Sequence, residues 1–179
     1  MSAGPPGLPL TYVPIGEQHL SKLKLLNSVI FPINYQDKLY RQCILFEHTQ
    51  GALCEGELVG AIACRLEQKE GCARLYIVTL GVLAAFRGQG IGTHLLSCAL
   101  RLAREDPAVA TAHLHVQTSN AAAIAFYERH GFHRGAVLLK YYRKLEPPDA
   151  VELSKALHAG DGQELAQRHL ECCSAATGV

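Results

Sequence analysis

Residues 86–92 read FRGQGIG, with glycines at 88, 90 and 92. The apolar run RLYIVTLGVL (74–83) precedes this turn and IGTHLLSCALRLA (91–103), apolar at helical spacing, follows it. A strand that passes through so short a turn into an amphipathic helix constrains the fold, because strand and helix must pack as adjacent layers of an α/β sheet. The same turn leaves backbone N–H groups unobstructed at the positive end of a helix, where a diphosphate can rest, and Arg87 can add a charge-assisted contact. Two familiar phosphate loops fail on detail. A Walker loop ends in G-K-[ST], whereas Gly92 is followed directly by Thr93. A dinucleotide fold has G-x-G-x-x-G with an acid about 20 residues on, at the end of the next strand; here that strand ends in HVQTSN. A turn that uses glycine for backbone freedom alone is the alternative.

The flanking segments extend the pattern. TYVPIG predicts a first strand, and Leu20, Leu23, Leu26, Val29 and Ile30 recur at helical spacing over 17–30. Pro32 stops that helix, FPINY reads as an irregular turn, and QDKLYRQCI as a short second helix. Two apolar runs around Glu55-Gly56-Glu57 predict a hairpin, with a further turn at QKEGCA before the strand that feeds the glycine turn. AHLHVQ alternates as a strand, Asn120 suits the N-cap of AAAIAFYERH, and Gly131 suits its C-terminal stop. FHRGAVLLKYYRKL reads as one or two strands and, after Pro147-Pro148, DAVELSKALHAG as a terminal helix. The expected fold is mixed α/β, with antiparallel hairpins first and a parallel strand pair in the middle. The expected boundaries are a disordered tail over 1–10, one domain over 11–146, and a terminal helix with flexible tail over 147–179.

R-x-x-G-x-G after such a strand resembles the acetyl-CoA pyrophosphate loop of the GCN5-related N-acetyltransferase superfamily. SNAAAIAFYERHGF adds the Asn at the start of the next helix and the Tyr along it that this superfamily typically carries. Within it, LNSVIFPINYQDKLY, RLYIVTLGVLAAFRGQGIGT, LHVQTSNAAAIAFYERHGF and KYYRKLEP resemble the catalytic subunit of the NatE-type N-terminal acetyltransferases (the San family), over roughly residues 10–158. The resemblance implies a mostly antiparallel sheet whose central parallel pair splays around acetyl-CoA. It implies acetyl transfer to the α-amine of proteins that start with Met and an apolar second residue, nascent or free, and association with the NatA complex. It places cofactor contacts on Leu80, Val82, Arg87, Gly88, Gln89, Gly90, Ile91, Gly92, Thr93, Asn120 and Tyr127. The peptide-binding turn falls on Phe31, Pro32, Ile33 and Tyr35, with Val78 in the pocket for the second residue and Tyr141 and Tyr142 covering the amine. The catalytic pair falls on Tyr76 and His115. Ile33 and Val78 stand where close relatives carry Val and Met, apolar for apolar.

The residues themselves are consistent with that chemistry. Period two puts Tyr76, Val78, Leu80 and Val82 on one strand face, and His113, His115 and Gln117 on another. In parallel neighbours, Tyr76 and His115 approach one site from two sides. An α-amine has a pKa near 8 and is largely ammonium at pH 7, so it must lose a proton before attacking a thioester. A neutral His115 is a suitable base, directly or through water, while Tyr76 can orient a water or hydrogen-bond the amine. Both residues also have a plain packing reading, as strand residues of a core. His113 and His115 lack a third ligand at metal spacing, so no metal is expected. Tyr141 and Tyr142, if in a strand, point to opposite faces.

A net charge of +1 with no Lys/Arg block gives no indication of a nucleic-acid or anionic-membrane surface. Seven cysteines without paired spacing read as reduced thiols of a cytoplasmic or also nuclear protein, and no apolar run reaches the roughly 20 residues of a membrane span. Two other functions fit the same fold: transfer to lysine or a small amine, and a catalytically weak binding subunit of an acetyltransferase complex.

Overall fold

The computed structural model describes residues 9–69 and 72–158. Among these residues, seven strands and four α-helices follow in the order β1 (Leu10–Pro14), α1 (Leu20–Ile30), α2 (Asp37–Cys43), β2 (Gln50–Cys54), β3 (Glu57–Lys69), β4 (Cys72–Val82), α3 (Ile91–Arg104), β5 (Val109–Gln117), α4 (Ala121–Arg129), β6 (His133–Leu138) and β7 (Ala150–Ala156). The hydrogen-bonded strand order is β1-β2-β3-β4-β5-β7-β6, and β4 and β5 are the parallel pair. The chain divides into two compact units, residues 1–65 with 77–103 and residues 66–76 with 104–179.

In the first unit, β2 and β3 form the expected hairpin. Glu55 and Gly56 both take positive φ, 50° and 83°, the double left-handed turn whose twist matches that of the strands. Leu20, Leu23 and Leu26 of α1 bury with Ile15, Tyr40, Leu58 and Ala61. Val29 does not join them: it is 67% exposed, because the buried stripe runs through Leu20, Leu23, Leu26 and Asn27 and Val29 lies off it. Helix α3 buries Ile91, Leu95, Leu96, Ala99, Leu100 and Ala103, the face that its sequence period marks out.

In the second unit, β5 lies between β4 and β7. Along β4 the odd residues 73–81 are buried and the even ones half-buried, so Tyr76, Val78, Leu80 and Val82 do share a face. The segment after Pro147-Pro148 is a correction. Residues 150–156 form strand β7, not a helix, and β7 sits between β5 and β6. Ala150, Val151 and Leu153 are buried while Glu152 and Lys155 are not, a strand pattern that Leu and Ala in the same stretch obscure. A domain boundary at 146 is therefore also corrected, since the sheet runs on to residue 156. The expected tail over 1–10 is corrected at its end, where Leu10 opens β1, and residues 1–8 and those after 158 lie outside the described residues. Among the described residues no helix is long and apolar enough to cross a membrane.

Candidate active site

The second unit gathers three of the expected residues, Tyr76, Tyr141 and Tyr142, around a fourth, the His115 imidazole. His115 is half-buried near the end of β5, and its Nδ1 lies 3.1 Å from the Tyr76 hydroxyl and 3.2 Å from the Tyr141 hydroxyl. The two hydroxyls are 3.3 Å apart, closing a triangle. The Tyr141 ring also lies over His115, centroids 4.7 Å apart. Tyr142 packs edge-on against Tyr141 and its hydroxyl donates to the His115 carbonyl at 3.3 Å. The expectation of two tyrosines on opposite strand faces is corrected: both lie in the connection between β6 and β7 and both turn toward His115. The cause is local. Lys140 takes a left-handed φ of 55°, and its amide donates to Asp149 Oδ1 at 2.8 Å, which ends the strand geometry just before the pair.

Burial pushes the His115 pKa below the ordinary imidazole range, His113 and Arg74 push the same way, and Glu152 and Glu67 oppose them. Glu152 stands opposite His115 in the β5–β7 ladder. At neutral pH the imidazole is uncharged, with one nitrogen able to accept a proton. Three groups here escaped the sequence reading: Glu67, Arg74 and Glu152. Each is a charged strand residue that sequence alone assigns to a solvated face, and only strand order brings it near His115.

The glycine turn belongs to the first unit. A short 3₁₀ turn over Ala84–Phe86 leads into it, and Gly88 and Gly90 take φ of 75° and 80° with open space where a side chain would stand. These two glycines are required by backbone conformation, not by crowding. Gly90 accepts from the His94 amide at 2.9 Å and so caps α3, which leaves the amides of Ile91, Gly92 and Thr93 without partners inside the helix. Arg87 Nε donates to the Val82 carbonyl at 2.9 Å, fastening the turn to the end of β4. The turn can receive a diphosphate, and the half-buried side chains of Leu80 and Val82 precede it on β4.

Also in the first unit, Phe31 and Tyr35 pack edge to face at 6.4 Å, and Tyr35 does the same with Tyr40 at 6.3 Å. Buried Asn27 donates to both the Tyr40 hydroxyl and Thr79 Oγ1, tying α1 to β4. A Cβ on Gly81 would stand 3.1 Å from Phe31 Cζ and 3.0 Å from Ile30 Cδ1, so glycine at this strand position sets how closely the 31–35 turn approaches β4. Pro32 is exposed, while Ile33 and Val78 are half-buried. In the second unit, Asn120 Oδ1 accepts from the Ala123 amide at 3.1 Å and caps α4, while Tyr127 is buried against Phe126 and Phe132. No group of three or more His, Cys, Asp or Glu among the described residues is placed to hold a metal. Cys43 and Cys64 are buried, the first with its thiol pushed up to about 11 by burial, so neither is a nucleophile.

The family model described as Acetyltransferase (GNAT) family matches residues 21–132. N-alpha-acetyltransferase 50 of Danio rerio is 40% identical over 142 residues, 79% of this chain and 84% of that protein. Probable N-acetyltransferase san of Drosophila melanogaster is 39% identical over 140 residues, 78% and 76% of the two chains. The solved structure of Arabidopsis thaliana Naa50 in complex with the bisubstrate analogue CoA-Ac-MVNAL is 43% identical, with a TM-score of 0.77 over 82% of this chain and 97% of that one. Seven strands with one parallel pair, a glycine turn opening α3 and an imidazole ringed by tyrosines stand on a chain that matches this model over most of its folded length: the protein belongs to the acetyltransferase (GNAT) family.

Proposed function

We propose that this chain transfers the acetyl group of acetyl-CoA to the α-amine of protein N-termini, those that begin with Met followed by an apolar residue. The observation that carries this reading is the hydrogen-bonded triangle of Tyr76, Tyr141 and the uncharged His115 in a GNAT fold. Bound acetyl-CoA supplies a thioester already activated for attack, so the protein's residues need only bind, orient and remove a proton. The left-handed turn at Gly88 and Gly90, the open amides of residues 91–93 and the cation of Arg87 suit its diphosphate, with Gln89 between them. Leu80, Val82, the Asn120 amide and Tyr127 are the further cofactor contacts.

The proton path follows from the triangle. The substrate ammonium gives a proton to the Tyr76 oxygen as the Tyr76 hydroxyl passes its own to His115 Nδ1, 3.1 Å away. The amine lone pair is then free, and Glu152, across the ladder, favours the imidazolium that forms. Tyr141 and Tyr142 cover the amine. Phe31, Pro32, Ile33, Tyr35 and Val78 take the first two side chains, for which rigid aromatic and apolar surfaces suit Met and an apolar neighbour. The analogue bound to the Arabidopsis relative carries a peptide that begins Met-Val.

Acetylation of peptides starting Met-Leu and Ser-Ala and of Ac-Met-Leu-Lys tests the reading: the first is expected to be modified and the blocked lysine peptide left alone. Preference for the blocked peptide overturns it. By the resemblance we also propose association with the NatA complex and a place in the cytoplasm and nucleus, which co-purification and imaging of the tagged full chain test.

A further inference from the structure

His113 is nearly sealed from solvent, 2% exposed, on the same face of β5 as His115. Its Nε2 lies 3.2 Å from Glu67 Oε2 on β3, and the same carboxylate oxygen receives the Arg74 guanidinium from β4 at 3.4 Å. Its other nitrogen is buried with no hydrogen-bond partner. The His113 ring lies 5.0 Å from the Tyr76 ring and stands edge-on to His115 at 6.2 Å. In the parallel ladder His113 is also the residue level with Tyr76.

A buried imidazole is costly unless its nitrogens are satisfied, and a leucine would fill the His113 position at less expense. What the polar group adds is a fixed ring. With Glu67 accepting, Nε2 carries the proton and the ring plane is set by a bond to a third strand. Tyr76 lies against that ring, so the clamp determines where the Tyr76 hydroxyl stands relative to His115 Nδ1. We propose that His113, clamped by the Glu67–Arg74 pair, is a positioning residue that fixes the Tyr76 hydroxyl on His115 and keeps a balanced charge pair behind that imidazole. The groups facing His115 are then Tyr76 and Arg74 from β4, Glu67 from β3, His113 on its own strand, Glu152 from β7, and Tyr141 and Tyr142 from the β6–β7 connection.

This inference rests on the acetyltransferase reading above, and its test reads each variant against wild type on whichever amine the wild type acetylates, so the two fail separately. His113→Phe keeps a ring of similar size and removes the N–H. Its kcat is expected to fall about tenfold or more, the scale on which small misplacements act, with KM for acetyl-CoA unchanged. Should that variant fail to fold, Glu67→Gln keeps the shape and an acceptor and removes the charge. Because Glu67 favours the charged form of His115, its loss is expected to move the acid limb of the kcat/KM profile to lower pH. A purely structural role lowers thermal stability but leaves both readouts alone. Wild-type kcat in folded His113→Phe, or an unmoved acid limb in Glu67→Gln, overturns the proposal.

Discussion

Tyr76 is level with His113 in the β4–β5 ladder, yet its hydroxyl bonds to His115, two residues further along, at 3.1 Å. The ring leans along the strand, so the hydroxyl and not the backbone register decides which histidine it serves. Removing either member should leave cofactor binding intact and slow turnover. His115→Ala and Tyr76→Phe are each expected to lower kcat by about 10²-fold or more, the usual range for a proton-transfer group. Steady-state kinetics with acetyl-CoA and a Met-Leu peptide checks this, and wild-type turnover in either variant removes that residue from its role.

The same imidazole sets a pH dependence. Burial holds its folded-state pKa below the unfolded value of about 6.5, so the unfolded chain binds the extra proton first. The acid limb of kcat/KM for the peptide, which reports the free enzyme, is therefore expected below about pH 6.5. Conformational stability should decline over the same window as pH falls, because protonation there favours the unfolded chain. A limb that titrates above the ordinary imidazole range would contradict the base assignment.

Gly88→Ala and Gly90→Ala should separate cofactor from peptide binding. Both positions have room for a methyl group but hold left-handed φ, which costs an L-residue about 1–2 kcal/mol. The turn is expected to relax away from this geometry, weakening acetyl-CoA several-fold with the peptide KM little changed. Calorimetry with acetyl-CoA provides the measurement.

Gly81→Ala should do the reverse. Its new methyl meets Ile30 and Phe31 at about 3 Å, and crowding of this kind typically costs about 1–3 kcal/mol. The 31–35 turn must shift, so the peptide KM is expected to rise while the acetyl-CoA dissociation constant stays within about twofold.

Local signals were readable wherever chain-near chemistry decides the structure. The α4 cap at Asn120, the Glu55-Gly56 turn and the buried stripe of α3 each depend on residues within a few positions of one another. Tyr76 and His115 came from strand period plus family motif. What escaped depended on distant pairing. AVELSKA has the composition of a helix, but the open edges of β5 and β6 draw it into the sheet as β7. Tyr141 and Tyr142 left their strand because Asp149, eight residues beyond the first, holds Lys140 in a left-handed turn. Glu67 and Arg74 are indistinguishable in sequence from solvated charges, and only the neighbouring strands show them facing a histidine.

The insertion of β7 between β5 and β6 has a temporal consequence. The strand that bears His115 gains its second neighbour from the last stretch of described chain to be synthesised, since Glu152 pairs with it. Until residue 156 has left the translation machinery, the imidazole stands on an open-edged strand without the Glu152 carboxylate. A nascent copy that stops short of β7 therefore lacks one flank of the His115 site.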